Sequence, residues 1–293
     1  MNASSNRTSM RTVAEALQGG ARALAGVSDS PRLDAELLLG QVLGLPRAGL
    51  ITRGDEAIAI DHEDHYSGLL ERRRQGAPVA YLTGTREFWS LALTVTPSVL
   101  VPRPESELLV ELALRLLPDD HPLTVLDLGT GSGAIALAIA SERPRSRVTG
   151  VDISAAALDV ALQNSHRLGL SNIEWRHGSW FDAVPQQRFD LIVANPPYLA
   201  AGDPALVTLA AEPRVALCAG HTGLEALSAI AADAPPHLNP GGWLLMEHGA
   251  DQAPQVAQLL ERRGFEELCL QFDLSGRPRV TRGTFHTRHE EHT

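Results

Sequence analysis

Apolar residues in the first quarter of the chain recur at helical spacing. Val13, Ala16 and Leu17 fall on one helix face, and Leu33, Leu37 and Leu38 on a face of a second helix. Pro31 and Pro46, with Gly40, Gly44 and Gly54, cut the stretch from Thr12 to about Gln75 into short helices. Residues 1–10 are polar and read as a frayed start. From Phe88 the period shortens: Leu91, Leu93 and Val95 alternate with other residues, Pro97-Ser98 offers a turn, and Val99-Leu100-Val101 follows. This pattern predicts a hairpin bridging two domains. A helix resumes from Glu105 to Leu117. Beyond His121-Pro122, strand and helix patterns alternate to the end. Strands are predicted at 124–128, 147–152, 173–176, 189–194, 243–247, 267–272 and 280–285, and helices near 133–142, 155–168, 224–232 and 252–263. Alternation of this kind predicts an α/β domain with a largely parallel sheet covered on both faces. Ligands then sit at the carboxyl ends of the strands, around the switch point.

Composition narrows the chemistry. A chain of 293 residues is comfortable for two domains, and 44% hydrophobic residues supply a sizeable core. Lysine plus arginine number 25 against 35 aspartates and glutamates, so 25 − 35 gives a net charge of −10. That balance argues against affinity built on broad contact with nucleic-acid phosphates, though a local basic groove stays open. The chain contains no lysine, so Schiff-base chemistry, a pyridoxal anchor and a P-loop or kinase-type lysine are all excluded. Cys218 and Cys269 stand far apart and outside any CxxC pattern, which implies neither a disulfide framework nor a zinc site. Without a signal-type apolar run, or any apolar stretch near the ~18 residues that span a bilayer, the expected location is the cytoplasm. Asp61-His62-Glu63-Asp64-His65 reads as a solvated helix start rather than a ligand set. Arg72-Arg73-Arg74 reads as a solvated helix end before a contact for an acidic or RNA-associated partner. His286, His289 and His292 read as part of a charged tail.

Two segments carry candidate chemistry. Val125-Leu126-Asp127-Leu128 runs as a buried strand into Gly129-Thr130-Gly131-Ser132-Gly133, a turn in which glycine lets a ligand approach the backbone. With Ala134 the loop also satisfies the relaxed dinucleotide fingerprint, a weak signal alone. A dinucleotide would set a pyrophosphate over this turn, where the acidic Asp127 is repulsive. D-x-G-x-G-x-G therefore suits a ligand with positive charge and no phosphate, such as S-adenosylmethionine. Asp152, 152 − 129 = 23 residues after Gly129, ends the next strand, where a carboxylate accepts from both ribose hydroxyls. A helix cap before Ser154 is its plainer role.

The second segment is Asn195-Pro196-Pro197-Tyr198, delivered by the strand at 189–194. A planar NH2 group has two hydrogens and a delocalised lone pair. The Asn195 side-chain oxygen and the Pro196 carbonyl are two acceptors for those hydrogens. Pro197 holds Pro196 extended and brings no competing N–H. Tyr198 offers an aromatic face to the flat acceptor. An ordinary strand-ending turn is the alternative, and adenine or cytosine amino groups have the same planar chemistry as an amide.

Other segments carry a resemblance: Asp34-Ala35-Glu36-Leu37-Leu38-Leu39, Gly76-Ala77-Pro78-Val79-Ala80-Tyr81-Leu82-Thr83-Gly84, Val101-Pro102-Arg103-Pro104-Glu105-Ser106-Glu107, Glu212-Pro213, Ala216-Leu217, Gly223-Leu224 and Asn239-Pro240-Gly241-Gly242. With the two segments above, the sequence resembles the PrmC/HemK family of methyltransferases, which modify the glutamine of peptide-chain release factors. Ser106 stands where threonine is usual, and Glu247-His248-Gly249 departs from the common Glu-Ile-Gly. The resemblance implies a helical substrate-recognition domain at 1–87, a β-hairpin linker at 88–104 and a Rossmann-like methyltransferase domain with a seven-stranded sheet at 105–293. It implies that Gly129, Thr130, Gly131, Ser132, Gly133, Asp152 and Trp180 hold S-adenosylmethionine, Trp180 flanking the adenine unless it is core. Asn195 would touch both cofactor and substrate, and Asn195, Pro196, Pro197 and Tyr198 would bind the glutamine, with Asn195 and Pro196 catalytic. Release factors are the implied partners, with no metal, no membrane and no direct nucleic-acid contact. Glutamine methylation of a ribosomal protein, or adenine methylation, stays open.

Overall fold

The computed structural model describes residues 11–118 and 121–286. The expected frayed start, and His289 and His292 of the tail, lie outside the described residues. Two compact units divide the chain, Met1–Gly84 and Thr85–Thr293.

The first unit is helical: α1 (Val13–Leu24), α2 (Pro31–Leu43), α3 (Arg47–Thr52), α4 (Ile60–Arg74) and α5 (Val79–Thr83). Thr12 and Glu15 close α1 with a reciprocal capping box. Leu17, Leu38, Leu39, Leu50 and Tyr66 form its core. The buried face of α2 differs from the one its leucine spacing predicts. Leu33 and Leu37 are 37% and 39% exposed, while Ala35, Leu38 and Leu39 are fully buried. The helix is turned this way because its buried acids find partners. Asp34 accepts from Ser28 Oγ and Arg73 Nε at 2.7 and 2.8 Å, and Glu36 from Arg32 Nε and Arg47 Nε at 2.7 and 2.8 Å. Arg73 is thereby an internal brace, and Arg74 pairs with Glu71. Asp61 and Glu63 lie in the first turn of α4, where negative charge complements the helix dipole.

The second unit opens with a hairpin, β1 (Thr85–Phe88) and β2 (Leu91–Thr94). It lies earlier than the alternation predicts, and its turn is Trp89-Ser90 rather than Pro97-Ser98. Both turn residues have positive φ, 51° and 59°, which asparagine or glycine would adopt more readily. Side chains hold the turn instead: Trp89 N–H donates to Glu107 Oε1 at 2.9 Å and Trp89 Nε1 to Glu142 Oε1 at 2.8 Å.

The main sheet comprises β3 (Thr124–Leu128), β4 (Arg147–Asp152), β5 (Ile173–His177), β6 (Phe189–Ala194), β9 (Leu238–Glu247), β10 (Glu266–Phe272) and β11 (Pro278–Phe285), with a small separate pair, β7 (Leu199–Ala200) and β8 (Cys218–Gly220), inserted after β6. Its order is β10-β11-β9-β6-β3-β4-β5, parallel except for β11, which runs against both neighbours. The helices are α6 (Glu107–Leu116), α7 (Ala134–Glu142), α8 (Ala155–Leu168), α9 (Ala205–Thr208), α10 (Glu225–Asp233) and α11 (Ala253–Arg262). Side chains alternate across the strands into two cores. Val125, Leu191, Val193 and Leu245 pack with α6 and α7, while Leu126, Ile192, Leu244 and Met246 pack with α10 and α11. The alternating α/β sheet expected from the sequence is therefore present. Order reverses at β3, so the crevice opens above the carboxyl ends of β3, β4 and β6. No helix among the described residues is long and apolar enough to cross a membrane.

Candidate active site

The glycine turn is built by its neighbours. Gly129 and Thr130 N–H groups both donate to the Val151 carbonyl at 2.9 Å, tying the turn to the end of β4. Gly131 N–H donates to Asp152 Oδ2 at 2.8 Å, and Ser154 N–H to Oδ1 at 2.9 Å. Gly133 has φ +82°, and a Cβ there would lie 2.8 Å from the Trp175 ring, so only glycine fits. Asn164 of α8 donates to the Ser132 carbonyl at 3.0 Å and braces the turn from behind.

Asp127 does not act on a ligand directly, which corrects the role its charge suggested. It is 1% exposed and lies outside the cavity lining. Its Oδ2 accepts from Thr130 Oγ1 at 2.6 Å and from Ala136 N–H at 3.2 Å, joining the turn to the start of α7. Burial pushes its carboxyl up to about 7 against those two hydrogen bonds.

A cavity of about 390 Å3 opens at this end of the sheet. Among the expected site residues, Gly129, Gly131, Asp152, Trp180, Asn195 and Pro197 line it. Thr130, Ser132, Gly133, Pro196 and Tyr198 do not; the first three shape the turn, and Pro196 is buried. Tyr198 packs against the α10–α11 core, and Gln252 Nε2 donates to its carbonyl at 3.0 Å. Burial raises the Tyr198 phenol to about 12. Trp180 sits at φ +44°, an uncommon conformation for a bulky residue, and its ring lies 3.4 Å from where a Gly129 Cβ would be.

Sequence reasoning missed two walls. One is Ser98, Val99 and Leu100; the other includes Val215, Cys218, Glu225 and Ala229. Buried Glu212 couples the segments carrying them: Val101 N–H donates to Oε2 at 3.0 Å, and Arg103 pairs with Oε1. Glu225 accepts from Thr222 N–H at 2.8 Å, which lowers its carboxyl to about 2. The described lining residues thus carry two carboxylates, Asp152 and Glu225, and no basic side chain. That suits a cationic sulfonium and ammonium ligand and is hostile to a pyrophosphate. The glycine cradle against Trp180 suits a flat base.

Asn195 follows β6, and its Nδ2 donates to Ser106 Oγ at 2.9 Å. The amide oxygen is left as the acceptor for a ligand N–H. His248 is fully buried and away from the cavity. Its Nδ1 donates to the Gly249 carbonyl at 2.9 Å and its Nε2 accepts from Thr281 Oγ1 at 2.8 Å. Burial lowers its pKa, so it is a neutral packing residue. Among the described residues no group of three His, Cys, Asp or Glu is placed to hold a metal.

A doubly wound sheet with a glycine turn after β3, a carboxylate ending β4 and an anionic cavity between them defines a Rossmann-like methyltransferase that uses S-adenosylmethionine. Comparison with known proteins agrees. Residues 119–272 match the family model described as a methyltransferase domain, and 15–84 the PrmC N-terminal domain. A solved 16S rRNA methyltransferase from T. thermophilus, in complex with AdoMet and guanosine, is 25% identical with a TM-score of 0.51, over 68% of this chain and 49% of that one. A release factor glutamine methyltransferase from Xylella fastidiosa is 49% identical, over 86% of this chain and 92% of its own. One from Coxiella burnetii is 45% identical, over 92% and 98%. The chain belongs to the release factor glutamine methyltransferase family.

Proposed function

We propose that this enzyme methylates the side-chain amide nitrogen of a glutamine in a peptide-chain release factor. The observation that carries this reading is the commitment of Asn195 Nδ2 to Ser106, which leaves Oδ1 as an acceptor on the cavity wall beside the glycine turn. Bound S-adenosylmethionine supplies a methyl group activated by its sulfonium. Gly129, Gly131 and Asp152 hold its amino-acid and ribose parts, and Trp180 flanks its adenine. Asn195 Oδ1, on the cavity wall, would accept an amide hydrogen and orient the nitrogen toward the methyl donor, and Pro197, which also lines the cavity, adds no competing donor. An amide is a weak nucleophile, so this alignment and the polarisation of its N–H bonds supply the catalysis; the surplus proton leaves to solvent. The similarity to named release factor enzymes favours this substrate over a nucleobase, as does the net charge of −10.

A lone glutamine side chain offers little surface, so recognition must extend over the folded protein around it. The helical unit, whose described residues form no candidate catalytic cluster, is the part we assign to that recognition, in the cytoplasm where release factors act. Labelled cofactor incubated with release factors, ribosomal proteins and DNA in parallel tests the reading: label belongs on release factor, and preferential label on either other class contradicts it.

A further inference from the structure

The assigned machinery leaves one buried acid unused. In the parallel β6–β9 pair Ala194 stands opposite Met246, so one residue on, Asn195 and Glu247 leave the sheet side by side. Glu247 is 2% exposed. Its carboxyl is close enough to the Ser106 and Asn195 side chains to feel both, and its Oε2 is buried with no hydrogen-bond partner among the described residues. Ser106, itself 4% exposed, completes the triangle through its bond from Asn195 Nδ2. A carboxylate so deeply buried and incompletely paired costs stability.

Hydrogen-bond polarity supplies the function. A serine hydroxyl can donate or accept, and an asparagine amide can sit either way round. Next to Ser106 alone, Asn195 has two orientations, one of which turns its NH2 toward the substrate NH2, donor against donor. An ionised carboxylate accepts only. Ser106 Oγ accepts from Asn195 Nδ2, so its own proton is free for that carboxylate, and an arrangement in which Ser106 donates to Glu247 holds Nδ2 inward. We infer that Glu247 is a positioning residue that, acting through Ser106, sets which way round the Asn195 amide sits and so keeps its oxygen toward the substrate. This rests on the proposed role of Asn195.

The inference carries a pH signature. Burial raises the Glu247 carboxyl to about 7, moderated by the neighbouring Ser106 hydroxyl and the Arg279 charge on β11; Glu105, before α6, pushes it further up, and Tyr198, after β6, adds a neutral phenol. A protonated Glu247 donates to Ser106 and reverses the chain. Turnover should therefore fall as pH drops through about 7.

The test measures kcat against pH, cofactor affinity by calorimetry and melting temperature for the full chain. Ser106→Ala should lower kcat by about ten- to a hundredfold with cofactor affinity unchanged, the scale of a misoriented catalytic group. Ser106→Thr, which keeps the hydroxyl, should recover most of that loss. Glu247→Gln should abolish the acidic limb of the kcat profile. Wild-type kcat in Ser106→Ala, an unchanged limb in Glu247→Gln, or loss of cofactor binding in both would overturn the inference, the last in favour of a packing role. Asn195→Ala separates the two levels: if it stays active the reading of the site itself fails, whereas if it is inactive beside a normal Ser106→Ala only the positioning inference fails.

Discussion

Removing the Asp152 side chain perturbs two things that can be measured separately. Its two oxygens accept from Gly131 and Ser154 N–H groups at 2.8 and 2.9 Å, and each oxygen keeps a further lone pair toward the cavity. The residue is only partly buried, so water replaces much of what Asp152→Ala removes from the empty protein. Water cannot replace the charge-assisted bonds to bound ribose as well. Their loss is on the order of 1.5–3 kcal/mol, or about ten- to a hundredfold in affinity. Calorimetric titration with cofactor should show that weakening. Methyl transfer at saturating cofactor should stay near normal, because the bonds are made in ground state and transition state alike. Asp152→Asn, which keeps one acceptor and turns an NH2 toward the other backbone donor, should fall between. Unchanged affinity in Asp152→Ala, with only a lowered melting temperature, would return Asp152 to a brace between the turn and α8.

Gly133→Ala places a Cβ 2.8 Å from Trp175 at φ +82°, and denaturant unfolding should show a loss of roughly 1–3 kcal/mol; a neutral result would mean the turn relaxes freely. Asp127 and Glu247 have carboxyls raised to about 7, so the folded state holds protons that the unfolded chain has already released. Their contribution makes stability fall as pH rises from about 4 through about 7, and Asp127→Asn should flatten that slope in unfolding curves collected across the range. A chain beginning at Thr85, where β1 starts, should bind cofactor yet lose most transfer to release factor, and transfer at the full rate would remove the recognition role from the helical unit.

The α/β alternation was legible because buried parallel strands and the helices between them have distinct periods, and Asn195, Asp152 and the glycine turn fall where such strands end. What escaped has physical reasons. The Trp89-Ser90 turn has positive φ at both residues without a glycine or asparagine, and depends on Glu107 and Glu142, which lie far along the chain. Leu33 and Leu37 mimic a buried face, but the partners of Asp34 and Glu36 decide how α2 rotates. Asp127 carries the right charge in the right motif yet is spent inside the turn, and Glu225, from a wall with no periodic signal, joins Asp152 in making the lining anionic. The proximity of Glu247 to Asn195 follows from strand order, which no local pattern reveals.

In the proposed reaction a glutamine amide nitrogen receives the methyl group. Tandem mass spectrometry of release factor after incubation with the full chain and S-adenosylmethionine tests it most directly. One added methyl is expected on the side-chain nitrogen of a single glutamine, absent when Asn195→Ala replaces the wild type. A methyl on any other residue, or an unchanged yield with Asn195→Ala, would contradict it.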